Sequence, residues 1–407
     1  MKILHVTYSG TGGAGIAARR SHEALLAKGI ESYLLCARNP PQGGDMPNME
    51  FLRKCWHAIN HRYEQWRRRK LPAEDQCLRS ANLLPGFLLR SIRRYDPDLV
   101  HLHWINSGTL SVSEIQKIDV PVVWTLHDMW PLTGSSHCAG SLLNSWRKSG
   151  MPCTFADLDS SGYCRQLEVR HTRKMLNKPD AMICPSEWMF AQAEKAPFME
   201  NKKSFLITNC IDLDIFTPTL DKKLAKKSLG LPENKHVLLF VSSWGNSPVK
   251  GFDLLDGAFS AMPVSMRKEC VVAVLGGHHG EQRMHGMKVY YMGNKEGDRE
   301  LARVYQAADV FVCPSREDNY PNTVVEASAC GVSTVGFSIG GLPDLVEDGV
   351  SGVLVEAYDT GQLSRAIVKV LKDAESMGAE ARRRVEARNN DMDHAEALLC
   401  LYKKLLA

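Results

Sequence analysis

The sequence predicts an α/β protein built of two doubly wound, Rossmann-like domains facing across a cleft, and three observations predict it. Short apolar, β-branched runs alternate with helix-length amphipathic segments, the pattern of a parallel sheet buried on both faces. That pattern ends near residue 205 and restarts after residue 230. The chain of 407 residues suits about two or three domains of roughly 100 to 200 residues each.

In the first half, strands are expected in KILHVT (2–7), DLVHLHW (98–104), VPVVWTLH (120–127) and DAMICPS (180–186). In the second half they are expected in HVLLFVSS (236–243), CVVAVLGG (270–277), VYYMG (289–293), DVFVCPS (309–315) and STVGF (333–337), giving two parallel sheets. The proline and polar residues of DLDIFTPTLDKK mark the boundary, with NCID (209–212) at the hinge. The expected division is an N-terminal domain over 1–208, a C-terminal domain over 209–385, and a helix within 386–407. That last segment, DHAEALLCLYKKLLA, has apolar residues at helical spacing and is expected to pack back toward the N-terminal domain.

A composition of 44% hydrophobic and 24% charged residues with 31 glycines is that of an ordinary globular protein. A net charge of +4 leaves no global footprint for nucleic acid, and none is expected as a partner. MKILHVTYSG is neither a signal peptide nor an anchor, and no run of about 18 apolar residues occurs, so a cytoplasmic location is expected. The 12 cysteines show no CxxC spacing, and Cys184 and Cys313 lie inside apolar runs where a thiol acts as a small hydrophobe. The loop-like group His137, Cys138, Cys153, Cys164 and His171 carries zinc-ligating side chains, with unlinked thiols as the other reading.

FLRKCWHAINHRYEQWRRRKLP (51–72) holds seven Lys or Arg between Arg53 and Lys70 against Glu64 alone, with Trp56, Tyr63 and Trp66 interleaved. Such a stretch suits peripheral contact with an anionic membrane, here the inner face of the cytoplasmic membrane. It equally suits a solvated helix face whose tryptophans pack on the domain.

Four stretches carry candidate chemistry. SGTGGAGIAARR follows the first strand, where Gly12 and Gly13 let backbone approach a ligand and the helix start favours phosphate. It lacks the Gly-Lys-Ser/Thr ending of a P-loop. SYLLCARN follows it and supplies Arg38 where a dinucleotide site would have an acid. WTLHDMWPLTG sets His127, Asp128 and Trp130 at the carboxyl edge of the sheet, where open α/β sheets bind ligands. SSWGNSPVKGFDLL repeats the arrangement in the second half, with Lys250 and Gly251 opening a helix and the lysine suited to a diphosphate. In SREDNYPNTVVEASACG the helix start at Asn322 or Thr323 can seat a phosphate, and Glu326 one turn on can accept hydrogen bonds from a ribose diol.

Taken together, these motifs make the chain resemble a retaining glycosyltransferase of the GT-B fold, family GT4, in the branch of bacterial exopolysaccharide, O-antigen and colanic-acid enzymes. The resemblance rests on Gly12-Gly13-Ala14-Gly15, His127 in WTLHD, NCIDLDIFTP, the pair Lys250-Gly251, and DNYPNTVVEASACG in place of the Glu-x7-Glu element. It implies that a hexosyl unit moves from a nucleotide sugar to a saccharide acceptor, lipid-linked in that branch, with no metal or other cofactor. His127, Lys250 and Asp318 are implied as catalytic, His127 at the donor sugar and Asp318 at its hydroxyls. Gly12, Gly13, Ser243, Asn246, Asn319, Asn322, Thr323 and Glu326 are implied as donor-binding. Two positions depart from the family pattern: Asp318 stands where a glutamate is usual, and no arginine precedes Lys250 in VSSWGNSPVKG. A nucleotide-sugar epimerase, or a weakly catalytic partner subunit in a polysaccharide complex, are the alternative readings.

Overall fold

A computed structural model describes every residue except 39–55, 57, 61, 64–79, 81, 87, 135, 139–169, 171, 197–198, 200–201 and 243–247. It divides into two compact units, Met1–Asn209 with Met392–Ala407, and Cys210–Asp391. The chain leaves the first unit after Asn209. It returns inside the helix Asp391–Leu406, so the helix Ala374–Arg388 stays with the second unit rather than ending it at 385.

The first unit is a six-stranded sheet in the order β2-β1-β3-β4-β5-β6. The strands are β1 (Lys2–Thr7), β2 (Glu31–Cys36), β3 (Leu99–Leu102), β4 (Val122–Thr125), β5 (Ala181–Cys184) and β6 (Lys203–Leu206), and all their pairings are parallel. β2 and β6 are strands beyond those expected. One face of the sheet places Leu4, Val6, Leu102, Trp124, Met182 and Cys184 in a single apolar core.

The opposite face is different. The register pairs His5 with His101 and His101 with Val123. Because side chains alternate along a strand, His5, His101, His103 and Thr125 share a side. The terminal helix Asp391–Leu406 is bonded to this face. The Tyr402 hydroxyl lies 2.7 Å from His101 Nδ1, and His101 Nε2 lies 2.7 Å from Thr125 Oγ1. His394 Nδ1 lies 2.8 Å from the Thr208 carbonyl, which can only accept, so His394 Nε2 accepts from the Ser21 hydroxyl at 2.9 Å. Ser21 belongs to the helix Gly13–Ala27.

The second unit is a six-stranded sheet in the order β12-β11-β10-β7-β8-β9. Its strands are β7 (His236–Val241), β8 (Cys270–Met284), β9 (Met287–Gly293), β10 (Val310–Cys313), β11 (Thr334–Phe337) and β12 (Gly352–Val355), the last also beyond those expected. The expectation of a wholly parallel sheet is corrected at one pair, since β8 and β9 run antiparallel. The reason is the link between them. His285 and Gly286 alone separate the strands and both take positive φ (49° and 88°), a two-residue hairpin turn, whereas a parallel pair needs a crossover of a dozen residues or more. Arg382 ties the helix Ala374–Arg388 to the rest of the unit by donating to the carbonyls of Leu213, Phe216 and Ala329.

Burial keeps His5, His101, His103, His127 and His394 neutral. Desolvation depresses the His5 pKa from 6.5 to about 3 and those of His127 and His394 to about 4, and takes His101 and His103 well below 6.5. Below pH 6.5 the unfolded chain binds protons that the folded chain refuses. Stability is therefore complete above pH 6.5 and falls as the pH drops toward the folded values, by about 1.4 kcal/mol per pH unit for each such histidine. Denaturant unfolding from pH 7.5 to pH 5 should show that steep loss, and a flat profile would contradict the buried neutral state. Tyr402→Phe should lower stability by about 1–3 kcal/mol by orphaning His101 Nδ1, measured as a shift in the unfolding midpoint at unchanged m-value.

Candidate functional site

Each unit gathers candidate residues at the carboxyl ends of its strands. In the first, β1 ends in a loop that leads into the helix Gly13–Ala27, with Gly12 as its N-cap at φ 78°. Among the described residues no side chain caps this helix, and no acid sits in its first turn, so its positive end favours an anion. Among the described residues a Cβ on Gly12 or Gly13 would meet nothing within 4 Å. Gly15 is the position that packing dictates: a Cβ would lie 2.0 Å from the Ser9 carbonyl oxygen, and only glycine lets the helix lie this close to the strand end.

His127 follows β4 and is partly exposed. Its Nε2 lies 2.9 Å from His103 Nδ1, and the two rings stack with centroids 5.2 Å apart. Beside it, Asp128 accepts from the Trp104 indole (2.7 Å), His137 Nδ1 (2.6 Å) and the Trp130 amide (3.0 Å). Burial pushes the Asp128 pKa up, but the His137 ring and these donors outweigh it and hold the carboxyl below its usual value. Asp128 is thus an ionised, saturated carboxylate that fixes the His127 loop. His103, Trp104, His127, Asp128 and Trp130 line a small pocket at this edge.

Of the loop-like cluster considered for zinc, His137 spends Nδ1 on Asp128 and Nε2 on Ser80 Oγ at 2.9 Å. Cys138 is buried nearby; Cys153, Cys164 and His171 lie outside the described residues. Among the described residues, ring nitrogens of His5, His101 and His103 come within 4.8 Å of one another. Five of those six nitrogens already bond to a neighbouring imidazole or hydroxyl.

In the second unit, Lys250 ends a short 3-10 turn, Pro248–Lys250, and Gly251 takes φ 71° before the helix Phe252–Ala261. A Cβ on Gly251 would stand 1.9 Å from the Pro314 carbonyl, so the Lys250 turn packs directly on the end of β10. The Arg316 amide donates to the Val249 carbonyl at 2.7 Å and the Gly341 amide to the Asp318 carbonyl at 3.0 Å, which joins the Lys250 and Asp318 loops by backbone. Lys250 Nζ then reaches Asp318 Oδ2 at 2.6 Å. The two residues named from widely separated motifs form one ion pair, half-exposed on the lysine side and mostly buried on the aspartate side.

The helix within SREDNYPNTVVEASACG runs Asn322–Ala329, and its N-cap is Pro321, not Asn322 or Thr323 as expected. Proline's fixed φ suits the position, and it brings no side-chain acceptor to the first turn. Asn319 and Asn322 are buried beside it, Thr323 is partly exposed, and Glu326 is 3% exposed. Glu326 Oε2 accepts from the Tyr305 hydroxyl at 2.7 Å, so Tyr305 is a positioning partner that sequence reasoning missed. The arginine lacking before Lys250 is not replaced by Arg316, whose guanidinium makes a two-pronged bond to Asp253 at 2.8 and 2.5 Å. Ser243, Asn246 and most of 51–72 lie outside the described residues, although the Trp56 indole donates to the Pro85 carbonyl at 2.7 Å.

Comparison with known proteins agrees with this geometry. Residues 11–215 match the family described as Glycosyltransferase Family 4, and residues 235–373 match the family Glycosyl transferases group 1. A D-inositol 3-phosphate glycosyltransferase of Actinosynnema mirum is 25% identical over 388 residues, spanning 89% of this chain and 85% of that protein. Sucrose-phosphate synthase from Thermosynechococcus elongatus superposes with a TM-score of 0.69 at 20% identity, covering 100% of this chain and 99% of that one. Anabaena Alr3699/HepE, solved with UDP-glucose, gives 0.67 at 16% identity over 99% of this chain and 100% of the other. These likenesses place both Rossmann-like sheets in the GT-B fold. With just over half of its length under a single family description, the chain belongs to glycosyltransferase family 4.

Proposed function

We propose that the protein transfers a hexosyl unit from a nucleotide sugar to a saccharide hydroxyl, with retention of anomeric configuration and without a metal ion. The observation that carries this reading is the Lys250–Asp318 pair, 2.6 Å apart, at the strand ends that also present the helix start at Asn322. A departing nucleoside diphosphate needs positive charge placed in advance, and preorganised charge commonly lowers such barriers more than any other single effect. Lys250 and the first-turn amides at Asn322 and Thr323 supply it from the protein itself. When the diphosphate takes Lys250, the Asp318 carboxylate is released to accept from the hydroxyls of the sugar. Glu326, already oriented by Tyr305, accepts from the ribose, and the family resemblance assigns the donor sugar to His127. The acceptor hydroxyl then attacks on the face that the diphosphate leaves, and a β-phosphate oxygen takes its proton.

For the acceptor, the motif resemblance favours a lipid-linked saccharide in cell-surface polysaccharide assembly. The basic stretch 51–72 would hold the enzyme on the inner face of the cytoplasmic membrane. A second reading, an inositol phosphate acceptor, is favoured by the names of the curated relatives, at 25% identity over 89% of the chain. Among the described residues no helix is long and apolar enough to cross a membrane.

Incubation with UDP-, GDP- and ADP-sugars, with and without each acceptor class, should give glycosylated product only with acceptor. Conversion of a donor sugar to its epimer without acceptor would replace the transferase reading by the epimerase. Lys250→Ala should lower kcat by about 100-fold to 1,000-fold. Full activity in that variant would refute its role.

A further inference from the structure

Three imidazoles on successive strands form one continuous chain in the first unit. His5 Nδ1 lies 3.0 Å from His103 Nε2, and His103 Nδ1 lies 2.9 Å from His127 Nε2. His5 and His103 are fully buried, whereas His127 is partly exposed. The inner end of the chain, His5 Nε2, is buried and has no hydrogen-bond partner among the described residues. The outer end, His127 Nδ1, is the nitrogen left to meet a ligand in the pocket that His127 lines.

A neutral imidazole carries one N–H, and each N···N contact accommodates one proton. With three rings, two contacts and two chain ends, three protons occupy four places. Only two arrangements satisfy both contacts. In one, His5 carries its proton on Nε2 and every proton points inward, which leaves His127 Nδ1 bare. In the other, each ring is protonated on Nδ1 and donates outward along the chain, which leaves His5 Nε2 bare. The first arrangement buries an N–H with no acceptor. The second leaves only an unfilled lone pair, the lesser penalty, because an orphaned buried N–H is the rarer defect in native proteins.

We infer that His5 and His103 fix the tautomer of His127, so that His127 presents an Nδ1–H donor to an oxygen of the bound ligand. Resting on the reading that the donor sugar sits at His127, that oxygen is a sugar hydroxyl or ring oxygen accepting the bond. His5 and His103 are positioning residues: they touch no ligand, yet they decide whether His127 donates or accepts. The polarity also discriminates between ligands, since an Nδ1–H rewards an acceptor and leaves a donor group unpaired.

The direct test is long-range ¹H–¹⁵N NMR of the full-length protein labelled at histidine, assigned by single His→Gln variants. Nδ1–H on His5, His103 and His127 together is the expected result, and it is diagnostic because free imidazole in water favours Nε2–H. Nε2–H on His127, or histidine signals that change when a chelator strips a bound metal, would overturn the inference whatever the activity. In the second arm, His5→Leu should lower kcat/KM for the donor about tenfold, the worth of one lost hydrogen bond. His5→Asn, whose amide can still donate to His103, should restore most of it, and nucleoside diphosphate affinity should be unchanged in both. Equal loss in His5→Leu and His5→Asn would overturn the inference. Nδ1–H on His127 with full activity in His127→Ala would instead remove the sugar from His127 and leave the tautomer chain standing.

Discussion

Burying imidazoles on one face of a parallel sheet imposes a constraint that much of the first unit depends on. An isolated charge cannot stay in that environment, so the rings are neutral, and neutral rings must use each nitrogen in a defined role. Hydroxyls and carbonyls meet that demand from the elements packed above the sheet. Tyr402 and His394 of the terminal helix and Ser21 of the helix Gly13–Ala27 are bonded into it. His101, which bonds to the terminal helix, meets the His5–His103–His127 chain through a ring contact alone, its centroid 4.3 Å from that of His103. Docking of the last helix and orientation of the site histidine thus draw on neighbouring rings of the same buried face.

The second unit handles charge in the opposite way. Lys250 and Asp318 pair with each other at the sheet edge, on loops joined through Val249, Arg316 and Gly341. A half-exposed pair of this kind adds little to stability. In the proposed reaction the pair holds a cation and a carboxylate at a fixed spacing until a diphosphate competes for the lysine. Asp318, where the family pattern has glutamate, has its own carbonyl bonded by the Gly341 amide.

How much of this was legible in the sequence follows from what each signal encodes. Strands buried on both faces read as unbroken apolar runs, so β1, β3, β4, β5, β7 and β10 were visible, as were the polar loops after them. β6, KSFL at the sheet edge, is half exposed and has no such run. β9 was visible as VYYMG, but its antiparallel pairing was hidden because the glycines and histidines at 276–280 look like the end of a strand that in fact continues to Met284. Lys250, Asp318 and Glu326 stood out through residue type and spacing. Gly15 did so only as part of a motif, because its reason is a 2.0 Å approach to Ser9 that spacing does not contain. The histidine face left a trace in VHLHW and in the alternate positions Thr125 and His127, but joining them to His5 requires the strand order. Tyr305 and His394, remote in sequence from the groups they bond, left no trace.

The central claim, that Lys250 and the helix start at Asn322 seat the diphosphate of a nucleotide sugar, is tested most directly by donor binding. Thermal unfolding of the wild type and of Lys250→Ala would be measured with UDP-, GDP- and ADP-sugars at concentrations spanning micromolar to millimolar. Binding to the native state raises the midpoint by mass action. One nucleotide class raising the wild-type midpoint in a saturable way, with most of that rise lost in Lys250→Ala, is the predicted result. No stabilisation by any nucleotide sugar, or the same stabilisation in both proteins, would contradict it.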